Sequence, residues 1–164
     1  MDRLSHRNGK KRETHKNTNT TMYRPIAVAV AALAALAGAR ITGIAVPDTI
    51  KPGEAFDAVI HSENYIQSVF DVAIVFGYAP GEGYRESLGI VANSICLGKA
   101  DSNQLHDFNK SVTIPADAPK GRAVVSASLT SLYGAVAWPQ LSLYNVTVTL
   151  GDHTSANYVS SRPA

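Results

Sequence analysis

The side chains able to do chemistry are few and scattered. Downstream of residue 40 there are three histidines, His61, His106 and His153, and none has a second ligand at H-x-x-x-H or C-x-x-C spacing. Each is expected to be an ordinary surface side chain. No G-x-S-x-G elbow for an activated serine is present. "GEGYRE", Gly81 to Glu86, begins like a dinucleotide-binding loop, but it lacks the third glycine and a following helix, so it reads as a loop. Asp57, Asp71, Glu82 and Glu86 are the carboxylates that folding would have to pair for acid–base work; unpaired, they are solvated charge. The one cysteine, Cys96 in "SICLG", cannot form a disulfide within the chain. Its apolar setting predicts a buried, inert thiol, with an intermolecular bridge as the alternative. No catalytic residue, metal ligand or cofactor site emerges, and the chain reads as a non-enzyme that binds.

Recognition chemistry is better represented. Tyr65, Tyr84, Tyr133 and Trp138 fall in or beside predicted loops, and such aromatics anchor interfaces when they do not pack under their own loop. Two loops look longer than a hairpin requires: Gly77 to Ser87, which exposes Tyr84, Arg85 and Glu86, and Leu132 to Gln140, which carries the sole tryptophan. Tyr65, Tyr84, Arg85, Glu86, Tyr133 and Trp138 are therefore the candidate partner contacts. Two N-x-S/T sequons begin at Asn109 and Asn145 and are candidate glycosylation sites.

These residues must be positioned by a chain with a distinct front end. Ile26 to Ala37 is an unbroken apolar run of 12 residues after Arg24, followed by the small-x-small sequence Ala37-Gly38-Ala39. That is the pattern of a secretory signal, cleaved between Ala39 and Arg40, and it is shorter than the roughly 18 residues of a membrane span. The polar, basic lead of residues 1–21 has no hydrophobic period and is expected to be disordered or untranslated, with Met22 as the true start. The whole chain carries a net charge of +2, but residues 40–164 hold eight Lys/Arg against eleven Asp/Glu, a net of −3. The mature chain therefore gives no electrostatic reason to expect nucleic acid. Residues 1–21, 22–39 and 40–164 are thus read as lead, signal peptide and one secreted domain, expected to be a monomer.

From Arg40 onward apolar residues recur with a period of two, and turn residues interrupt them every ten or so positions. "EAFDAVIH" alternates through Phe56, Ala58 and Ile60, and "LSLYNVTVTL" through Tyr144, Val146, Val148 and Leu150. "VFDVAIVFGY" is predicted to place Phe70, Val72, Ile74, Phe76 and Tyr78 on one face and Asp71 on the other. Seven or eight such strands indicate an all-β fold, a single immunoglobulin-like antiparallel β-sandwich, without the Cys–Trp–Cys core of antibody domains. A small barrel is the runner-up.

The phrases "RITGIAVPDTIKPGEAFDAVI", "ENYIQSVFDVAIVFGYAPGEGYRESLG", "SNQLHDF", "VTIPADAPKG", "SLTSLYG" and "LYNVTVT" resemble the necrosis-inducing secreted protein family of plant-associated fungi. The resemblance runs from about Arg40 to Ser160. It implies a secreted effector, present in the host apoplast and then the host cytoplasm, associated with plant cell death and suppression of pattern-triggered immunity. The partners it implies are host protein kinases that associate with cell-surface immune receptors. It brings no catalytic residues. The alternatives are a carbohydrate- or cell-wall-binding module and a small hydrolase assembled from distant carboxylates.

Overall fold

The computed structural model describes residues 38–161; the lead and most of the signal segment lie outside them. The described residues form nine strands in two sheets. β1 (Gly38–Pro47), β3 (Ala55–Tyr65), β6 (Phe108–Thr113) and β9 (Tyr158–Ser160) make a four-stranded sheet in the order β6-β3-β1-β9. β2 (Thr49–Ile50), β4 (Val69–Pro80), β5 (Ile90–Cys96), β7 (Gly121–Tyr133) and β8 (Trp138–Leu150) make a five-stranded sheet in the order β2-β8-β7-β4-β5. All pairings are antiparallel except β2 with β8. A one-turn helix, α1 (Gly98–Asp101), follows β5. The two short strands β2 and β9 account for the excess over the expected seven or eight.

The period of two explains the core. Phe56, Ala58 and Ile60 of β3, Val125, Ala127 and Leu129 of β7, and Val146, Val148 and Leu150 of β8 all face inward and are buried with Ile44 and Val46 of β1. Among the described residues no disulfide closes the sandwich, so stability rests on this apolar packing, at roughly 25 cal/mol for each Å² removed from water.

The alternation fails at one place in β4. Asp71 pairs with Ser131, but Ala73, not Val72, pairs with the next residue, Thr130. Val72 is an extra residue, a β-bulge, and it switches which parity faces inward. Val69 and Asp71 point into the sandwich before it, and Ile74, Phe76 and Tyr78 after it. Phe70, expected in the core, is 44% exposed, and Asp71, expected in solvent, is 1% exposed.

Three further expectations are corrected. Cys96 is exposed rather than buried: it ends the edge strand β5, paired with Ala73, and it is the next residue, Leu97, that enters the core. Trp138 is not in a loop but begins β8, paired with Tyr133 across a four-residue connection, Gly134 to Ala137. Both ends of that turn take positive φ, 67° at Gly134 and 52° at Ala137, which closes the hairpin tightly. The other long loop is also shorter than expected, because Gly77 to Pro80 belong to β4. Its return is fixed by Gly89, at φ 70°, where a Cβ would stand 2.4 Å from the Tyr78 carbonyl oxygen.

Two outcomes follow from this packing. Cys96 is expected to react with a thiol reagent in the native state at the rate of a free cysteine, and Cys96→Ser to change stability by no more than about 0.5 kcal/mol. Phe76→Ala, at the buried centre of β4, is expected to cost about 3–5 kcal/mol in chemical denaturation. Labelling of Cys96 only after unfolding would contradict its placement.

Candidate functional site

One end of the sandwich, where β1 enters, collects the unusual side chains. Arg40 of β1 lays its guanidinium carbon 4.7 Å from the ring centroid of Tyr65, the last residue of β3. Tyr65 meets Tyr133, the last residue of β7, edge to face, with centroids 5.8 Å apart and planes at 89°. Trp138 stands opposite Tyr133 and is 66% exposed. Together with Gln67, Gln140 and the hairpin Gly134–Val136, these residues line a cleft of about 750 Å³ that spans both sheets. The stacking contacts are worth about 0.5–1.5 kcal/mol each, enough to hold the two tyrosines and the guanidinium in one arrangement. Arg40 has no carboxylate partner among the described residues, and its Nε is shielded from water without a hydrogen bond. A guanidinium so placed favours an anion arriving from outside.

Beneath the cleft lies the inward-turned Asp71. Ser131 Oγ donates a 2.6 Å hydrogen bond to Asp71 Oδ1, and the Asn103 backbone N–H also donates to the carboxylate. The Asp71 backbone is held by Ser102, whose Oγ accepts from its N–H at 2.7 Å and donates to its carbonyl at 3.0 Å. Burial pushes the Asp71 carboxyl above its ordinary range, and the Ser131 and Asn103 donors offset only part of that. Burial, then the charge of Asp71, raise the Tyr133 phenol, with Arg40 opposing. Tyr144 is raised by burial first of all, and its hydroxyl donates to the Ile41 carbonyl at 3.0 Å, tying β8 to β1 across the two sheets.

The expected contact residues separate into two groups. Tyr65, Tyr133 and Trp138 meet at this cleft, joined by Arg40, which the sequence had marked only as a cleavage position. Tyr84, Arg85 and Glu86 lie in the β4–β5 connection at the opposite end. Val69 pairs with Tyr133 whereas Pro80 pairs with Ala123, so the groups are separated by about ten residues of β7, roughly 30 Å. Arg85 and Glu86 form an ion pair at 3.5 Å with both side chains almost fully exposed, which is worth little. Asn109 and Asn145 are both exposed on their strands, and Asn145 shares a shallow depression with Tyr84 and Arg85.

His61 is more than a lone surface imidazole. Its Nδ1 lies 2.7 Å from Asp107 Oδ2 and its Nε2 3.1 Å from Ser160 Oγ. The order carboxylate–imidazole–hydroxyl is that of an acyl-transfer triad. Here Ser160 sits on the paired strand β9 and its hydroxyl also reaches the Ile44 carbonyl at 3.3 Å. The other carboxylate oxygen of Asp107 accepts from the Ser62 N–H at 2.8 Å. The chain of bonds fastens the last strand to β3 and to the segment before β6. The cleft described above lies elsewhere. Among the described residues no group of His, Cys, Asp and Glu could hold a metal ion, and no helix is long and apolar enough to cross a membrane.

The raised Asp71 fixes a pH dependence. The folded state keeps a proton that the unfolded carboxyl, near its ordinary value of 3.8, releases. Asp71 therefore lowers stability as pH rises from about 4 through its folded pKa, after which the effect levels off. Asp71→Asn is expected to remove that slope in denaturation curves taken between pH 4 and 7. An unchanged slope would place the proton elsewhere.

The Nis1 family matches residues 37–149 of the chain, which takes in all of the cleft residues. Over 141 residues the chain is 51% identical to necrosis-inducing secreted protein 1 of Colletotrichum higginsianum, covering 85% of this chain and 98% of that protein. Over 135 residues it is 46% identical to necrosis-inducing secreted protein 1 of Colletotrichum orbiculare, covering 82% and 83%. Both relatives are named as secreted proteins, as the apolar run before residue 38 also indicates. The chain is a secreted protein of the Nis1 family.

Proposed function

We propose that this protein is a necrosis-inducing effector that acts by binding rather than catalysis. Its partners are host kinases associated with cell-surface immune receptors, and the binding suppresses pattern-triggered immunity. The observation that carries the site is the cleft of Arg40, Tyr65, Tyr133 and Trp138: a preorganised aromatic surface with an exposed tryptophan and a cation that has no anion partner among the described residues. Interfaces draw their energy from such Trp, Tyr and Arg anchors. The chemistry that fits Arg40 is a carboxylate or phosphate on the kinase surface, received as a bidentate pair beside an apolar side chain against Trp138.

The rival surface at Tyr84 and Arg85 is less suited. Its charges neutralise each other, and an oligosaccharide on Asn145 would stand over it while leaving the cleft free. A glycan-binding role is disfavoured by the 89° angle between Tyr65 and Tyr133, since a polysaccharide platform needs rings sharing a plane. A hydrolytic role for Ser160 is disfavoured by its place on a paired strand.

Binding of the secreted protein to receptor-associated kinase domains tests this reading by calorimetry. Trp138→Ala and Arg40→Gln are each expected to weaken binding by about 1–3 kcal/mol with the fold intact by thermal melting. Tyr84→Ala is expected to leave binding unchanged. Kinase binding that survives both cleft substitutions would remove the cleft from the site. A fluorophosphonate probe is expected to leave Ser160 unlabelled; labelling abolished by Ser160→Ala would establish an enzyme.

A further inference from the structure

The end of the apolar run offers two overlapping sequences that a signal peptidase could cut. Ala37-Gly38-Ala39 would release Arg40, and Ala35-Leu36-Ala37 would release Gly38. Both have small residues at the two recognition positions, so the local sequence does not choose between them. The fold distinguishes their products.

Gly38 and Ala39 are integral to β1. They pair with Tyr65 and Asn64 of β3, and Ala39 is wholly buried. The Ala39 N–H donates to Asn103 Oδ1 at 2.6 Å, and Asn103 holds a positive φ of 60° to present that oxygen. Gly38 is so closely covered that a Cβ there would stand 2.5 Å from the Gln67 carbonyl oxygen and 2.9 Å from Asn103 Oδ1, so only glycine fits.

Cleavage after Ala39 would strip both residues away. It would leave Asn103 Oδ1 without its donor and Tyr65 and Asn64 without their β1 partners. It would also create an α-ammonium on Arg40, whose guanidinium already lacks an ion-pair partner among the described residues. Cleavage after Ala37 keeps the strand whole. The match to the Nis1 family begins at residue 37, one residue before that cut.

We infer that signal peptidase cuts between Ala37 and Gly38, with Ala35 and Ala37 as its recognition residues, and that the mature protein begins Gly38-Ala39-Arg40. The two residues gained over the Arg40 start complete β1 and support the Tyr65 wall of the cleft.

The test is N-terminal sequencing and intact mass of protein secreted from a fungal host expressing the chain from Met22. The expected terminus is Gly-Ala-Arg, and a terminus of Arg-Ile-Thr overturns the assignment. Ala35→Arg replaces a small recognition residue of the proposed cut, and its terminus is read on the protein that is still exported. It is expected to abolish the Gly38 terminus. Undiminished processing at Gly38 in that variant would overturn the role given to Ala35.

Discussion

The bulge at Val72 is the constraint on which the cleft end of the molecule depends. A continuous alternation along β4 would drive Phe70 into the sandwich and Asp71 out of it. The extra residue reverses both, and the buried carboxylate that results must be satisfied. Ser131 on β7 and the backbone of Asn103 meet that need, while Ser102 after α1 holds the Asp71 backbone. Asn103 in turn holds the first residues of β1 through Ala39. A single inserted residue thus links β4, β7, the α1 turn and β1 at one end, and the wall of Arg40, Tyr65 and Tyr133 stands on that linkage. Among the described residues the opposite end has no buried charge, and its Tyr84 loop is tied to β7 by the Gly81 N–H to the Arg122 carbonyl and by the Glu82–Arg122 ion pair at 2.9 Å.

A domain without a disulfide must keep this arrangement through packing and polar closure alone. The inner faces of β3, β7 and β8 supply the packing, and they do so through simple alternation. Polar closure is concentrated where alternation breaks. Tyr144 hydroxyl to Ile41 carbonyl and His61 between Asp107 and Ser160 join elements far apart in sequence, which apolar burial alone would leave free to slide. The single thiol takes no part in this, since Cys96 ends an edge strand with its side chain outward.

The sandwich was legible because its signal is local. Phe56, Ala58 and Ile60, or Val146, Val148 and Leu150, declare their face within a few residues, and the structure follows them. The errors share one cause: each needed a fact about pairing that no short window contains. Phe70 and Asp71 were assigned to the wrong faces because a bulge is defined by the partner strand, although an aspartate inside "VFDVAIVF" was a visible sign of a buried polar group. Cys96 looked buried from apolar neighbours, but edge position decided its exposure. Trp138 looked like a loop residue because Pro139 follows it, but β2 pairs with β8 only at Thr149 and Leu150, so the Pro139 end of β8 has an open outer side that tolerates proline. Tyr65, Tyr133 and Trp138 lie together at one end and Tyr84 at the other, a division that follows only from the direction of β4 and β7. Arg40 as a cleft residue, and the contacts of His61 with Asp107 and Ser160, had no signal in the sequence at all.

The central claim is that recognition belongs to the cleft end. Hydrogen–deuterium exchange of the mature protein, with and without a saturating receptor-associated kinase domain, reads the bound surface directly. The account predicts new protection confined to residues 65–67 and 133–142, with residues 81–89 exchanging as in the free protein. Protection of 81–89 with the cleft unchanged would contradict it.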